Sequence, residues 1–204
     1  MMNDKITVID YGMGNLYSVT NALKALGAEP VVTSDRETIK NAAKIILPGV
    51  GAFGDCMENL DRAGLIPVIE SSLKSGKPFL GICLGLQLLF EGSDEAPGVK
   101  GLGFFKGQVE LLQTDYKIPH MGWNRLSLKN PSPIMTGAEA AYVYFVHSYH
   151  AVPEDKSIIT SVCDYGLEVT ASVGLGNVQA FQFHPEKSSR AGLALLRAFK
   201  EWRI

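Results

Sequence analysis

Short apolar runs alternate with longer amphipathic stretches along the first half of the chain. Ile6-Thr7-Val8-Ile9-Asp10 reads as a strand, and Leu16, Val19, Leu23 and Leu26 share one helical face that stops at Gly27. Pro30-Val31-Val32-Thr33 follows as a strand, Ser34 or Asp35 caps a short helix, and Lys44-Ile45-Ile46-Leu47 is a third strand. This β-α-β-α-β rhythm predicts a parallel sheet with right-handed crossovers. Helices are expected over 53–63 and 66–73, broken at Gly64 and Pro67, before Phe79-Leu80-Gly81-Ile82 forms a fourth, fully buried strand. Leu84, Leu88, Leu89 and Phe90 then give a helical face.

The texture changes after Phe90. A polar loop and Gly101, Gly103 and Gly107 lead to Val109-Glu110-Leu111-Leu112. Lys117 to Asn124 reads as a loop, and Tyr142 to His150 as one aromatic-rich strand. Ile158 to Val162 is a further strand, and 168–173 with 178–183 make a hairpin around Gly174-Leu175-Gly176-Asn177. Ala191 to Trp202 closes the chain as a helix with Leu193, Leu196 and Phe199 inward. The whole predicts one doubly wound α/β domain over 1–204, its open sheet mostly parallel, with an antiparallel section added around 100–175. No repeat, linker or low-complexity segment interrupts it.

Charge and composition narrow the function. The 204 residues carry a net charge of -2, with no basic excess for nucleic acid and no polybasic tract for a membrane surface. No apolar run approaches the roughly 20 residues that span a bilayer. Met1-Met2-Asn3-Asp4-Lys5 leads straight into a strand, so no signal peptide is expected. Three widely spaced cysteines fit a reducing, cytoplasmic setting, and no Cys/His cluster has metal-ligand spacing. Gly12-Met13-Gly14-Asn15 resembles a nucleotide-binding turn, but Tyr17 stands where the third glycine belongs.

The chemistry concentrates on Gly81-Ile82-Cys83-Leu84-Gly85. Glycines two residues before and after a cysteine, between a strand and a helix, are the spacing of a nucleophile elbow. A helix N-terminus there favours a thiolate. The same residues also suit a buried structural cysteine between two packing glycines. A base is offered by Phe183-His184-Pro185-Glu186, where Pro185 ends the strand at His184 and Glu186 can orient the imidazole. His147 and His150 compete with His184 but lack a carboxylate at close spacing. Cys56 and Cys163 read as structural thiols.

Gly-x-Cys-x-Gly with Gln87 four residues after the cysteine, and the late His-Pro-Glu, resemble the class I (triad) glutamine amidotransferases over essentially the whole chain. Asp10 to Leu16, Leu47 to Gly54, Pro119 to Asn124, Tyr144 to Tyr149 and His184 to Ser188 sharpen the resemblance toward the histidine-biosynthesis branch of that family. The resemblance implies a flavodoxin-like sheet and a Cys83, His184 and Glu186 triad that hydrolyses glutamine through a cysteinyl thioester. It implies an oxyanion hole from the backbone N–H groups of Val50 or Gly51 and of Leu84. It assigns Gln87, Glu95, Ser148 and Tyr149 to glutamine, although Glu95 by itself reads as a solvated loop acid. No metal or cofactor is implied.

A single domain of this length has no room for a synthase, so a separate ammonia acceptor is expected. The resemblance supplies it as a TIM-barrel cyclase subunit that makes imidazole glycerol phosphate and aminoimidazole carboxamide ribotide. The resemblance implies a heterodimer docked on Asn15, Met121, Trp123 and Lys187. From the residues alone a loop folded back over the core is slightly the better reading of Met121 and Trp123. The Gly49-Val50-Gly51 peptide is expected to be misoriented until the loaded partner binds. The alternatives are a glutaminase serving another synthase such as that for pyridoxal phosphate, a γ-glutamyl or cysteine hydrolase of this fold, and a non-catalytic subunit.

Overall fold

The computed structural model describes residues 5–204. The expectation for Met1 to Asp4 lies outside them. The first half runs β1 (Lys5–Ile9), α1 (Leu16–Ala25), β2 (Glu29–Thr33), α2 (Arg36–Lys40), β3 (Ile45–Gly49), α3 (Phe53–Arg62), α4 (Ile66–Leu73), β4 (Phe79–Cys83) and α5 (Leu84–Gln87). Asn15 and Asp35 cap α1 and α2 by accepting the N–H groups of Ser18 and Thr38. The second half adds β5 (Gly107–Leu111), β6 (His120–Arg125), β7 (Ser127–Leu128), β8 (Tyr142–His147), β9 (Tyr149–Pro153), β10 (Ile159–Asp164), β11 (Glu168–Leu175), β12 (Val178–Phe181) and α6 (Ser189–Glu201).

The main sheet has eight strands in the order β2-β1-β3-β4-β12-β11-β10-β7. Its first five strands are parallel, and β11, β10 and β7 continue it antiparallel. The apolar runs are continuous because both faces are covered. Ile45, Leu47, Phe79 and Val178 join Phe53, Leu60 and Ile69 of α3 and α4 on one face. Ile46, Leu80, Ile82 and Phe181 join Leu23 of α1 and Leu196 and Phe199 of α6 on the other. The expected fold class is thus the observed one.

Several boundaries differ from the sequence reading. The helix after Cys83 is a single turn, and Leu88 to Phe90 are buried in the turns beyond it. The strand expected to end at His184 ends at Phe181; Gln182 still donates its N–H to the Ala171 carbonyl of β11 at 2.9 Å, but the His184 N–H has turned away to the Tyr144 carbonyl. The single strand expected over 142–150 is split at Ser148 into β8, which pairs with β6, and β9, which pairs with β5. The stretch read as a loop is the strand β6, and alternation along it leaves Met121 and Trp123 exposed on one side. In α6 the buried positions are Gly192, Leu195, Leu196 and Phe199, with Leu193 partly buried against the same core.

The β3–β4 pair sets the geometry around Cys83. Their parallel register aligns Leu47 with Gly81 and Gly49 with Cys83. The single turn of α5 then folds back so closely that a Cβ on Gly85 would stand 1.9 Å from the Leu47 carbonyl oxygen. Backbone cannot yield as a flexible side chain would. Gly85→Ala is therefore expected to cost at least ~2 kcal/mol. At roughly 2–4 °C per kcal/mol for a chain of this size, Tm should fall by about 4–8 °C or more in calorimetry. An unchanged Tm would show that α5 can shift freely.

Candidate active site

Cys83 ends β4 and opens α5 with φ 55° and ψ -112°. It is one of three non-glycine residues with positive φ among those described. Such a backbone costs of order 1–3 kcal/mol and persists only where its surroundings over-determine it. Here the surroundings are close. A Cβ on Gly49 would meet the Gly85 nitrogen at 2.8 Å and the Leu84 Cβ at 2.9 Å. The strain lifts the Cys83 side chain at the C-terminal edge of the parallel strands, where open α/β sheets form their ligand crevices.

His184 stands opposite, after the end of the neighbouring strand β12. Its backbone N–H donates to the Tyr144 carbonyl at 2.9 Å, and the Ser188 hydroxyl donates to its carbonyl at 2.6 Å. Pro185 to Lys187 form one 3-10 turn, which swings Glu186 back beside the imidazole. His184 Nδ1 donates to Glu186 Oε1 at 2.7 Å, and both side chains are almost wholly buried. That bond leaves Nε2 buried with no hydrogen-bond partner in the protein. Burial opposes a charge on His184, yet hydrogen bonding to Cys83 and Glu186, and then the attraction of these two groups for a positive ring, outweigh it and push the imidazole up to about 10. A buried carboxylate, an imidazolium and the Cys83 sulfur are therefore gathered within electrostatic reach. With only one turn in α5, the helix dipole that the sequence suggested for Cys83 is not available, and His184 is the cationic partner.

The competing histidines differ. Burial pulls His147 down to about 3 and His150 down to about 4. Both stay neutral at ordinary pH. Cys56 and Cys163 are buried, and burial holds their thiols up at about 11 and about 12.

The Val50-Gly51 segment leaves β3 beside this elbow, with Gly51 at φ 99°. Two groups that the sequence did not suggest fasten it. The Tyr11 hydroxyl donates to the Pro48 carbonyl at 2.9 Å, and the Cys56 thiol donates to the Val50 carbonyl at 3.6 Å. Glu95 lies close by, with Oε2 accepting the Phe53 N–H at 2.8 Å. Gln87 is buried and donates to the Tyr149 carbonyl at 2.9 Å and to Gln182 Oε1 at 3.0 Å. Gln182, also missed, places Nε2 3.9 Å from Cys83 Sγ. Its signal was a second glutamine in an otherwise apolar strand segment. Ser148 is tied in through its carbonyl, which accepts the Leu112 N–H at 3.0 Å. On the neighbouring surface Trp123 meets Tyr144 edge to face at 6.2 Å, and Lys187 Nζ lies 5.9 Å from the centre of the Tyr144 ring. Met121 is 61 % and Trp123 50 % exposed. Asn15 sits at the N-terminus of α1, where its side chain is engaged in capping.

A strained cysteine, a buried His-Glu pair and an adjoining glycine turn are the parts that an acyl-transfer site of the cysteine class requires. Residues 7–201 match the family described as "Glutamine amidotransferase class-I". The chain belongs to that family. It is 54% identical over 198 residues to the imidazole glycerol phosphate synthase subunit HisH of Aquifex aeolicus (strain VF5), covering 96% of each chain. It is 48% identical to the HisH subunit of Methanothermobacter thermautotrophicus, covering 96% of this chain and 98% of that one. Among solved structures, one described as a glutamine amidotransferase superposes with a TM-score of 0.75 at 19% identity, covering 94% of this chain and 98% of that one. PurLQS from Thermotoga maritima gives 0.75 at 23% identity, covering 97% and 98%. These two share the fold.

The charge on His184 has a testable sign. Its folded pKa of about 10 lies above the ordinary value of 6.5. The stability it contributes is complete below pH 6.5 and is lost as pH rises through about 10. By NMR the His184 ring should remain an imidazolium through pH 8. In Cys83→Ala, with the thiolate gone, its midpoint should fall by more than one unit. A midpoint near 6.5 in the wild type would refute the thiolate-imidazolium pairing.

Proposed function

We propose that this chain hydrolyses L-glutamine to L-glutamate and ammonia and passes the ammonia to a cyclase subunit, as the glutaminase of an imidazole glycerol phosphate synthase in histidine biosynthesis. The observation that carries the reading is the strained Cys83 facing a buried His184–Glu186 pair, in a chain about half identical along its length to HisH subunits. Residues 1–204 act as one amidotransferase domain.

The Cys83 thiolate attacks the side-chain amide carbon of glutamine, and the carbonyl electron pair moves onto oxygen. The N–H groups of Leu84 and of Val50 or Gly51 receive that oxyanion. Glu186 holds His184 Nδ1, so that Nε2 gives its proton to the departing nitrogen, which leaves as ammonia. A water then loses a proton to Nε2 and attacks the γ-glutamyl thioester. Glutamate departs and the thiolate returns. None of these steps uses a metal or cofactor.

Gln87, Glu95, Ser148 and Tyr149 hold the glutamine. The Ser148–Tyr149 backbone takes the α-carboxylate and Glu95 the α-ammonium. A TIM-barrel cyclase covers the face formed by Asn15, Met121, Trp123 and Lys187, which is rich in exposed aromatic and sulfur-bearing side chains of the kind that anchor interfaces. No helix among the described residues is long and apolar enough to cross a membrane, and three unpaired thiols suit a cytoplasmic setting.

The test is glutamate release by the chain alone and with its cyclase partner carrying nucleotide ligand. Cys83→Ala should abolish release, and Glu186→Gln should lower kcat at least tenfold with KM little changed. Release that needs the loaded partner would support a Val50-Gly51 turn that is set on docking. Equal release without the partner would sink that gating and keep the triad. Full activity in Cys83→Ala would overturn the reading.

A further inference from the structure

Two buried histidines have no part in the chemistry above, and their hydrogen bonds form a directed chain. His120 is the first residue of β6, immediately before the exposed Met121. His120 Nδ1 and His147 Nε2 are 2.9 Å apart, and His147 Nδ1 is 2.9 Å from the Tyr149 carbonyl oxygen. His120 Nε2 lies 3.3 Å from Asn124 Nδ2, which also donates to the Asp164 carbonyl at 2.7 Å. The His120 ring is stacked between Phe145 at 4.6 Å and Tyr165 at 4.0 Å.

Each proton in this chain is fixed by its neighbour. A carbonyl only accepts, so His147 Nδ1 must carry hydrogen. Burial keeps both rings neutral, holding His120 down at about 4 and His147 down at about 3. His147 Nε2 is then a lone pair, and His120 Nδ1 must donate to it. His120 Nε2 in turn accepts from Asn124. From the other side, Gln87 Nε2 donates to the second lone pair of the same Tyr149 oxygen. That fixes the Gln87 amide, which presents Nε2 to Gln182 Oε1 and so turns Gln182 Nε2 toward Cys83 Sγ. The Tyr149 carbonyl is where a chain from the exposed strand and a chain from the nucleophile meet.

We propose that His120 and His147 are positioning residues that hold the Tyr149 peptide in register for glutamine and tie it to the strand bearing Met121 and Trp123. This rests on the glutaminase reading for the role of Tyr149. The imidazoles touch no reacting atom, so their loss acts through the placement of glutamine and falls on KM.

Two substitutions at His120 separate hydrogen bonding from packing. His120→Phe keeps an aromatic ring between Phe145 and Tyr165 but removes the donor to His147. His120→Asn loses the stacking but places an amide N–H about where Nδ1 was. In the complex with the loaded cyclase, His120→Phe should raise the glutamine KM about tenfold, the order expected for one buried hydrogen bond, with kcat within about threefold. His120→Asn should bring KM back to within about threefold of wild type. A ring that serves packing alone gives the reverse order, with His120→Phe normal and His120→Asn impaired, and that would overturn the proposal. Nitrogen-15 NMR of the wild-type chain gives a second arm should either variant fold poorly. Both rings should be neutral Nδ1–H tautomers, and an Nε2–H tautomer at either would equally overturn it. A wild-type complex that releases no glutamate would overturn the glutaminase reading instead, with the tautomers still deciding whether the chain of bonds exists.

Discussion

The site depends on one backbone constraint, the left-handed turn at Cys83. A cysteine gains nothing intrinsic from φ 55°. The conformation survives because β3, β4 and α5 approach so closely that only glycine fits at 49 and 85. That approach in turn requires the fully buried parallel pair β3–β4, with Leu47 and Gly81 in register. Core packing thus sets the direction of the sulfur, and the geometry of the candidate site is an expression of how tightly three elements meet.

Electrostatics then completes what the turn begins. A nucleophilic sulfur in a buried crevice calls for a cation beside it, and one helical turn cannot supply it. His184 can, because Glu186 shares the burial cost through a 2.7 Å bond. Nε2 is left without a protein partner. An unsatisfied buried nitrogen is costly to a structure and valuable to a proton shuttle, which is the part proposed here for His184. The same logic separates His184 from His147, whose burial is not offset by a carboxylate and which stays neutral.

Much of this was legible in the sequence because the key features are local. The glycines at 81 and 85, the Pro185 break and the βαβ rhythm each report on a few residues. The doubly wound fold and the His184–Glu186 pair follow from them. Features set by contacts between distant elements were not legible. The strand over 142–150 breaks at Ser148 because its halves join different partners, β6 and β5. Within the Lys117 to Asn124 stretch, the residues from His120 onward become a strand only by pairing with β8, which Pro119 and Gly122 conceal. Tyr11 and Gln182 gain their roles from contacts 37 and 99 residues away in sequence, and no spacing rule could announce them.

The most direct measurement is covalent trapping of the nucleophile. The chain, in complex with its loaded cyclase, is treated with an electrophilic glutamine analogue bearing a reactive ketone, then digested and read by mass spectrometry. One adduct, confined to the peptide holding Cys83, suppressed by excess glutamine and absent from His184→Ala, is the predicted result. Labelling spread over Cys56, Cys83 and Cys163 alike, or labelling of Cys83 that neither glutamine nor the loss of His184 affects, would contradict the account of Cys83 as an activated nucleophile.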